Sequence, residues 1–312
     1  PDAPPRTPPQ TPPQTLGGVV AANLSGPRRV AWGAMRDHVL GMRAVNGLGE
    51  VIRAGGRVLK NVTGLDLCKL LAGSHGTLGV ITEITLKVLP APERTGTVLL
   101  RGVAAEAGVA ALAAALGSPY GVSGAAWLPA EAVARVPELA WAAAPVALAR
   151  IEDFAPSVAY RTDRLRAALA EYGPTEIIDD GASRSLWRAV RDAVPLPAAA
   201  GDAIWRVSVR PAAGPAVLGA VRAAFGGRGF LDWGGGLVWI AGPAEAAAHA
   251  AVTAAARQAG GVWMLLRAPE ALRAGLDVVP PEPAPLAAIT SRVKAAFDPR
   301  GILNPGRLYA GL

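Results

Sequence analysis

The residues best suited to hold a ligand lie in one glycine-rich stretch, AGSHGTLGVITE, over residues 72–83. Gly73, Gly76 and Gly79 fall within seven residues, called here the glycine loop, and an alternating apolar segment follows directly. Glycine lets a backbone come close to a ligand, and the amides and carbonyls of a following strand can bind the edge of a planar heterocycle. The pattern fits a nucleotide-like ligand and a structural loop equally well.

Other catalytic and metal-binding patterns do not fit this sequence. The G-x-x-x-x-G-K-[ST] and G-x-S-x-G patterns are absent, and Gly47-Leu48-Gly49 lacks the third glycine of a dinucleotide fingerprint. The histidines, His38, His75 and His249, do not have the spacing of metal ligands. His75 lies inside the glycine loop, where it contacts either a ligand or the loop itself. We expect no metal site and assign no catalytic residue.

Composition limits the class of protein. The chain carries 31 Lys and Arg against 24 Asp and Glu, a net charge of +7. Its arginines are spread out, without a basic block or interleaved aromatic residues, which argues against nucleic acid as a partner. The alanine-rich runs contain polar residues and are too short to span a bilayer. Because Cys68 is the single cysteine and no secretory signal is found, we expect a cytoplasmic protein.

Hydrophobic periodicity predicts the elements that position the glycine loop. Residues 39–45 and 50–53 predict a hairpin. Asp66 is a favourable N-cap for a helix that ends at Gly73. Residues 80–89 alternate, with Val80, Thr82, Ile84, Leu86 and Val88 on one face, and predict a half-buried strand.

Beyond Pro92, strands alternate with helices. The pattern predicts strand–helix–strand units over 97–128 and 146–179, then further strands and helices to residue 267 and a helix over 286–297. Strands with helices on one side are typical of an α+β layer domain. Large aromatic residues in this region form either a binding face or, as is commoner, core packing. These residues are Trp187, Trp205, Trp233 and Trp239.

Several stretches, taken in order, make the chain similar to a known family. They are TLGGVVAANLSGPRR from residue 15, RDHVLG from 36, GGRVLKNVTGLDL from 55, WRVSV from 205, LDWGGGLVWI from 231 and FDPRGILNPGRLYAGL from 297. Together they resemble the PCMH-type FAD-binding superfamily, which includes vanillyl-alcohol oxidase and D-lactate dehydrogenase. Within it, the chain is most similar to the FAD-binding E subunits of bacterial glycolate oxidase.

This resemblance implies an α+β fold: the C-terminal part of a PCMH-type FAD-binding domain and an α/β cap domain with a mainly antiparallel sheet. Four segments are expected. They are 1–14, a proline-rich extended segment; 15–92, the FAD-binding domain; 93–285, the cap domain; and 286–312, a helix and tail that return to the FAD-binding domain. Relatives begin with an additional stretch that carries a glycine-rich pyrophosphate loop. Nothing like it precedes Pro1, so the FAD-binding domain is expected to be incomplete at its N terminus.

The resemblance also implies which residues bind the cofactor. One group would form a wall against the flavin and its pyrophosphate: Thr15, Gly17, Gly18, Ala21, Asn23 and Gly26. Arg36 and Asp37 would lie near the cofactor, before the hairpin. The glycine loop and strand start would hold the adenosine half through Gly76, Thr77, Gly79, Val80 and Ile81. Asn304 belongs to a tail that would fold back towards the isoalloxazine.

The implied function is that of an accessory or electron-relay subunit with non-covalent FAD in a complex that oxidises glycolate to glyoxylate. A sister flavoprotein subunit would carry the hydroxy-acid site, an iron–sulfur subunit would pass electrons on, and contact with the membrane would be peripheral, through the complex. This chain lacks the H-x-G-D-G-N-x-H type cluster of catalytic relatives. Two alternatives stay open: a self-sufficient FAD-linked dehydrogenase and a cofactor-free interaction subunit.

Overall fold

The structure, a computed structural model, describes residues 14–58 and 64–311. These residues form two compact units. The first unit contains residues 14–26, 33–58, 64–90 and 281–311, and the second contains 27–32 and 91–280. Apart from Gln14, the predicted extended segment 1–14 lies outside the described residues, as do residues 59–63 of the GGRVLKNVTGLDL stretch.

The helices and strands have the following bounds. The helices are α1 (Leu16–Ala21), α2 (Arg29–Trp32), α3 (Leu67–Leu71), α4 (Ala105–Gly117), α5 (Ala130–Val133), α6 (Ala155–Leu169), α7 (Asp180–Arg191), α8 (Gly214–Phe225), α9 (Ala246–Gln258), α10 (Glu270–Ala274) and α11 (Ala284–Phe297). The strands are β1 (Val39–Val45), β2 (Val51–Gly55), β3 (Val80–Leu86), β4 (Arg94–Arg101), β5 (Val122–Leu128), β6 (Val146–Asp153), β7 (Thr175–Ile178), β8 (Ala203–Ser208), β9 (Arg228–Asp232), β10 (Leu237–Gly242) and β11 (Val262–Arg267).

In the first unit, a three-stranded sheet of order β2-β1-β3 carries the glycine loop. The prediction for residues 80–89 was wrong in two respects. The strand ends at Leu86, and its simple alternation is broken, because Ala44 pairs with Ile81 while Arg43 pairs with Glu83. This bulge leaves one extra residue in β3 and reverses the faces beyond it. As a result Ile81 joins Ile84 and Leu86 against the core of this unit, and Val80 is 57% exposed.

The glycine-rich stretch after Thr15 forms α1, which the sequence pattern did not predict. The Thr15 hydroxyl oxygen accepts a hydrogen bond from the Gly18 amide at 3.1 Å and caps the helix. Two glycines in six residues lower helix propensity. Burial of Val19 and Val20 in the unit's core compensates for that loss.

The second unit is built on an eight-stranded antiparallel sheet of order β11-β8-β10-β9-β5-β6-β4-β7. Two β-α-β-β-α-β repeats make it: β4-α4-β5-β6-α6-β7 and β8-α8-β9-β10-α9-β11. Within each repeat the strand order is that of a ferredoxin-like unit. The repeats join edge to edge where Trp127 of β5 pairs with Leu231 of β9. The two predicted strand–helix–strand units, over 97–128 and 146–179, therefore make up the first repeat, and β8 to β11 repeat the same fold.

Both faces of this sheet are covered, whereas the sequence suggested helices on one side. Along β4, Val98 and Leu100 pack into a core with α4, α6, α8 and α9, while Leu99 packs into a second core on the opposite face. The second core includes α5 and α7. Alternate strand residues point to opposite faces, so the near-continuous apolar strands are explained by two buried faces.

Residues 27–32 belong to the second unit, although the sequence placed them within the FAD-binding segment 15–92. Arg28 makes a bidentate pair with Glu152 of β6, with N–O distances of 3.2 and 2.5 Å. Arg150 and Ser123 also contact this carboxylate, at 3.1 and 2.7 Å. Burial opposes the ionisation of Glu152, but the Arg28 hydrogen bond and the Arg150 charge outweigh it, so its pKa lies below the ordinary value.

No helix in the described parts of the chain is both long and apolar enough to cross a membrane.

Candidate functional site

Three segments of the first unit meet at the glycine loop. The His75 amide donates to the Ala21 carbonyl oxygen at 2.8 Å, which joins the loop to the end of α1. Asn23, with φ of 46°, accepts from the Arg36 amide through its side-chain oxygen at 3.0 Å. The Asn304 amide nitrogen donates to the His75 carbonyl oxygen at 2.8 Å. The structure therefore brings together residues that lie far apart in the sequence.

Within the loop, the protein's own packing explains two of the glycines. Gly76 has φ of +74°, and a Cβ there would lie 2.8 Å from the Asn304 side-chain nitrogen. A Cβ at Gly79 would lie 3.2 Å from the Val45 carbonyl oxygen. Thr77 turns the chain between them, since its hydroxyl donates to the Ser74 carbonyl oxygen at 2.7 Å. These glycines are needed whether or not a ligand is bound.

The protein's own packing does not explain why residue 17 is a glycine. A Cβ at this position would find its nearest neighbours, the Ile81 carbonyl oxygen and the Thr15 hydroxyl, at 3.9 Å. Glycine inside a helix costs about 1 kcal/mol relative to alanine. An open, side-chain-free helix face beside the start of β3 fits the close approach of a large planar ligand such as a flavin. At the adjacent Gly18, a Cβ would lie 3.3 Å from the Thr15 hydroxyl.

The start of β3 supplies backbone groups at this place. Of the described strands, β3 pairs with β1 alone, so its other edge has no strand partner there. Val80 and Ile81 are the first residues of that edge strand. Its outward amides and carbonyls match the expectation that a heterocycle edge binds next to the glycine loop.

Arg36 and Asp37 lie in a short 3-10 helix, Met35–His38. The Asp37 carboxylate accepts from the Ala34 amide at 2.8 Å and is 3.8 Å from the Arg36 guanidinium. Both side chains are about half exposed. Asp37 thus shapes the turn before β1, and the Arg36 side chain is accessible to an anionic group. Gly26 lies in the connection that leaves α1.

The C-terminal tail is fixed by a lysine and an aspartate that the sequence analysis missed. The Lys294 ammonium donates to the Thr77 and Leu303 carbonyl oxygens at 2.9 and 2.8 Å and to the Asp298 carboxylate at 2.8 Å. Burial opposes the ionisation of Asp298, but hydrogen bonds from Lys294 and two backbone amides lower its pKa. Lys294 and Asp298 are spaced i, i+4 at the end of α11, and this spacing is the sequence signal that could have revealed the pair.

Gly47 shows a further tail contact. A Cβ there would lie 2.2 Å from the Asp298 carboxylate oxygen, and the Gly47 amide donates to the Phe297 carbonyl oxygen at 2.9 Å. Close approach of the tail therefore requires this glycine. In the hairpin connection, Gly49 has a positive φ of +82°.

A cavity of about 350 Å³ lies next to the loop, within the first unit. Its walls are mostly apolar and come from α11, the loop and the tail, including Leu286, Ile289, Val293 and Tyr309. Thr77 is the predicted site residue that lines it. This cavity is therefore a different place from the α1 and β3 surface described above.

Outside the glycine loop, two other side chains that could react, His249 and Cys68, are buried in the protein's own packing. Among the described residues, no group of three or more His, Cys, Asp or Glu could hold a metal ion. The buried His249 accepts a hydrogen bond from the Trp205 indole at 3.2 Å, and burial lowers its pKa. Burial, helped by the nearby Asp66 charge, raises the pKa of the Cys68 thiol, so it is a weak nucleophile.

Comparison with known proteins shows the family to which the chain belongs. The family of FAD binding domains matches residues 4–55. Glycolate oxidase subunit GlcE of Escherichia coli (strain K12) is 34% identical over 301 residues, which are 96% of this chain and 73% of that protein. Glycolate oxidase subunit GlcD of Bacillus subtilis (strain 168) is 44% identical over 85 residues, 27% of this chain and 18% of that protein.

Two further relatives extend the comparison. A D-lactate dehydrogenase of Anaerostipes hadrus is 49% identical over 79 residues, 25% of this chain and 17% of that protein. The chain therefore spans less than a fifth of this relative and of GlcD. A solved structure of alkyldihydroxyacetonephosphate synthase has a TM-score of 0.64 at 16% identity and covers 94% of this chain and 58% of that one. This likeness concerns the fold alone.

The predicted fold class, α+β with an FAD-binding domain of the PCMH type, is confirmed. So is the similarity to glycolate oxidase E subunits, since the match extends along nearly the whole chain. The chain belongs to the family of GlcE-type glycolate oxidase subunits.

Proposed function

We propose that this chain is the FAD-binding subunit of a complex that oxidises 2-hydroxy acids, with glycolate converted to glyoxylate. One observation carries the proposal: 34% identity to a glycolate oxidase subunit over 96% of the chain. The match of residues 4–55 to FAD binding domains supports the cofactor. The chain is then an FAD-dependent oxidoreductase subunit.

The residues that would hold FAD lie on the first unit. Gly17 offers a backbone surface open to a planar ring, and the outer edge of β3, from Val80 and Ile81, offers amides and carbonyls. Arg36 would add a positive charge for a phosphate. Asn23 and Asn304 shape the surface through their hydrogen bonds to Arg36 and His75. We expect binding without a covalent link.

The division of labour follows from what these residues can do. FAD, when bound, supplies the two-electron redox chemistry, and the protein supplies position and electrostatics. The first unit's residues bind and orient through backbone groups. Gly17, Val80 and Ile81 bring no side chain that could take up a proton. We therefore assign the abstraction of substrate hydrogen to a sister flavoprotein subunit of the GlcD type and electron relay or support to this chain.

The remaining partners are proposed on the same family basis. An iron–sulfur subunit would receive the electrons, and contact with the cytoplasmic membrane would be peripheral, through the assembled complex. A cytoplasmic location suits a redox subunit with one buried thiol, Cys68. No nucleic-acid partner is proposed.

The test is cofactor binding by the full-length gene product that contains this chain. Wild type should copurify with flavin, and acid precipitation should release it into the supernatant as FAD. Gly17→Val should weaken FAD binding about tenfold or more, since a branched side chain would occupy the open helix face. Gly181→Val is the matched control, because Gly181 is also the second residue of a helix and has nothing within 4 Å of a Cβ.

Two results would count against the proposal. Wild-type protein without flavin, even after incubation with FAD, would remove the cofactor from the account. Equal FAD binding by the Gly17→Val and Gly181→Val variants would remove the α1 surface from the binding site.

A further inference from the structure

The second unit contains an arginine with one buried N–H donor that has no hydrogen-bond acceptor among the described residues. Arg206 lies on β8, and its buried Nε atom has no acceptor among the described residues. Burial lowers the pKa of this guanidinium to about 10, with the Arg29 charge adding to the effect and Asp232 opposing it. At neutral pH the side chain is still a cation. A buried donor of a cation that lacks an acceptor is costly, and an anion would supply that acceptor.

Two indole rings form the walls around this cation. The Arg206 guanidinium carbon is 5.0 Å from the centre of the Trp239 ring and 5.6 Å from that of Trp233. Trp239 is its cross-strand partner on β10 and stacks in turn on Phe230 of β9, with ring centres 6.1 Å apart. Such cation–π contacts fix the plane of a guanidinium, so its N–H donors point along that plane and not into the rings.

Trp233 is held in place by an unusual turn. It has φ of 54°, and Gly234 and Gly235 follow with φ of 67° and 105°. The Asp232 carboxylate accepts from the Trp233 amide at 2.7 Å. A Cβ at Gly235 would lie 2.6 Å from the Pro211 carbonyl oxygen, so the turn tolerates little change. Positive φ at a bulky residue costs about 1–3 kcal/mol, and such strain clusters at ligand sites and switch regions.

A second arginine faces the same ring. The Arg29 guanidinium carbon is 4.8 Å from the centre of the Trp233 ring. Arg29 is exposed, and its neighbour Arg28 is fixed by the bidentate pair with the buried Glu152. Two cations therefore meet one indole ring, with Asp232 as the nearby anion.

We propose that Arg206 and Arg29, between the rings of Trp233 and Trp239, form a binding site for a small carboxylate monoanion. Among the described residues, the charges that act on Arg206 are those of Asp232 and Arg29, and two cations beside one carboxylate favour a monoanion over a dianionic phosphate. A planar guanidinium edge binds a planar carboxylate in a bidentate manner.

This inference goes beyond the proposed FAD function. The site is built entirely from the second unit, and none of its residues belongs to the proposed cofactor surface. It draws on three stretches noted in the sequence, SGPRR, WRVSV and LDWGGGLVWI, which supply Arg29, Arg206 and the pair Trp233 and Trp239. Core packing, the commoner use of such tryptophans, explains the burial of Trp239 but leaves the buried Arg206 Nε without an acceptor among the described residues.

The test is titration of the full-length protein with sodium acetate and sodium glycolate at constant ionic strength, held with sodium chloride. Tryptophan fluorescence and calorimetry should both show saturable binding. Arg206→Gln and the exposed Arg29→Gln should each weaken it, the first about tenfold or more. Arg257→Gln, which removes a guanidinium 4.9 Å from the Trp263 ring, should bind like wild type and is the control.

Several outcomes would overturn the inference. One is the absence of saturable acetate or glycolate binding to folded wild-type protein. The others are chloride binding that competes as strongly as the carboxylates bind, and unchanged carboxylate affinity in the Arg29→Gln variant. Arg206→Lys covers the case in which Arg206→Gln does not fold, because lysine keeps the positive charge and loses the planar fork of donors. Its affinity should lie at least threefold below wild type, and wild-type affinity in that variant would contradict bidentate binding. Each readout is independent of FAD, so failure here is distinguishable from failure of the proposed function.

Discussion

Lys294 holds three parts of the first unit together, so Lys294→Met should destabilise that unit strongly. The ammonium donates to carbonyl oxygens of Thr77 in the glycine loop and Leu303 in the tail, at 2.9 and 2.8 Å, and to Asp298 at 2.8 Å. The lysine side chain is only 9% exposed. Methionine has a similar length and no donor, so two carbonyls and one buried carboxylate would lose their partner.

Removing one member of a buried, hydrogen-bonded charge pair costs about 3–5 kcal/mol. We expect a loss of this size in the free energy of unfolding of the first unit, measured by urea unfolding. Hydrogen exchange should show faster exchange at the Ile302 and Leu303 amides, which donate to Asp298 at 3.1 and 2.7 Å. FAD retention should fall as well, because the same network positions the glycine loop.

Lys69→Met is the matched control for this experiment. Lys69 also pairs with an aspartate on a helix, but the pair is exposed and its N–O distance to Asp66 is 3.7 Å. An exposed pair of this kind contributes about 0–1 kcal/mol. The reasoning is refuted if Lys294→Met loses no more stability than Lys69→Met. Adding Asp298→Leu to Lys294→Met should recover part of the loss, since it removes the uncompensated charge.

Burial lowers the pKa of His249 in the folded protein. When the pH falls below the ordinary histidine pKa of about 6.5, the imidazole therefore binds a proton in the unfolded chain but not in the folded one. Stability of the second unit should therefore fall as pH falls from 7 to 5, and urea midpoints should show a flatter pH dependence for His249→Gln, which can still accept from Trp205. Gly17→Ala should leave the urea midpoint unchanged or raise stability by up to about 1 kcal/mol. Gly76→Ala should lower stability by about 1–3 kcal/mol, because its φ is +74°; equal midpoints for the two alanine variants would contradict the assignment.

Periodicity predicted most of the second unit because its strands are buried on both faces and its helices have clear ends. The strands Val122–Leu128 and Thr175–Ile178 end the two predicted strand–helix–strand units, over 97–128 and 146–179, to within one residue of where the pattern indicated. The bulge in β3 could not be predicted, since it depends on how Arg43 and Ala44 of β1 pair with that strand. Tertiary burial likewise overrode the low propensity of α1.

The candidate site was predictable only in part. Family resemblance implied that Asn304 lies in a tail that folds back towards the isoalloxazine, and the structure places its side chain against the His75 carbonyl oxygen of the glycine loop. Whether these residues bind FAD stays a prediction. Neither motif nor spacing indicated that Arg28 would pair with Glu152, 124 residues away, because such a contact exists only once the sheet has formed. Residues 27–32, which the sequence placed in the FAD-binding segment 15–92, therefore belong to the second unit.

The central claim is that this chain holds FAD in a complex whose sister subunit oxidises the hydroxy acid. The most direct measurement is flavin absorbance of the full-length subunit on anaerobic addition of glycolate, first alone and then assembled with a GlcD-type partner. We predict flavin bound to this subunit that is unaffected by glycolate alone and becomes bleached in the assembled complex. Bleaching of the isolated subunit, or a subunit that carries no flavin in either state, would contradict the account.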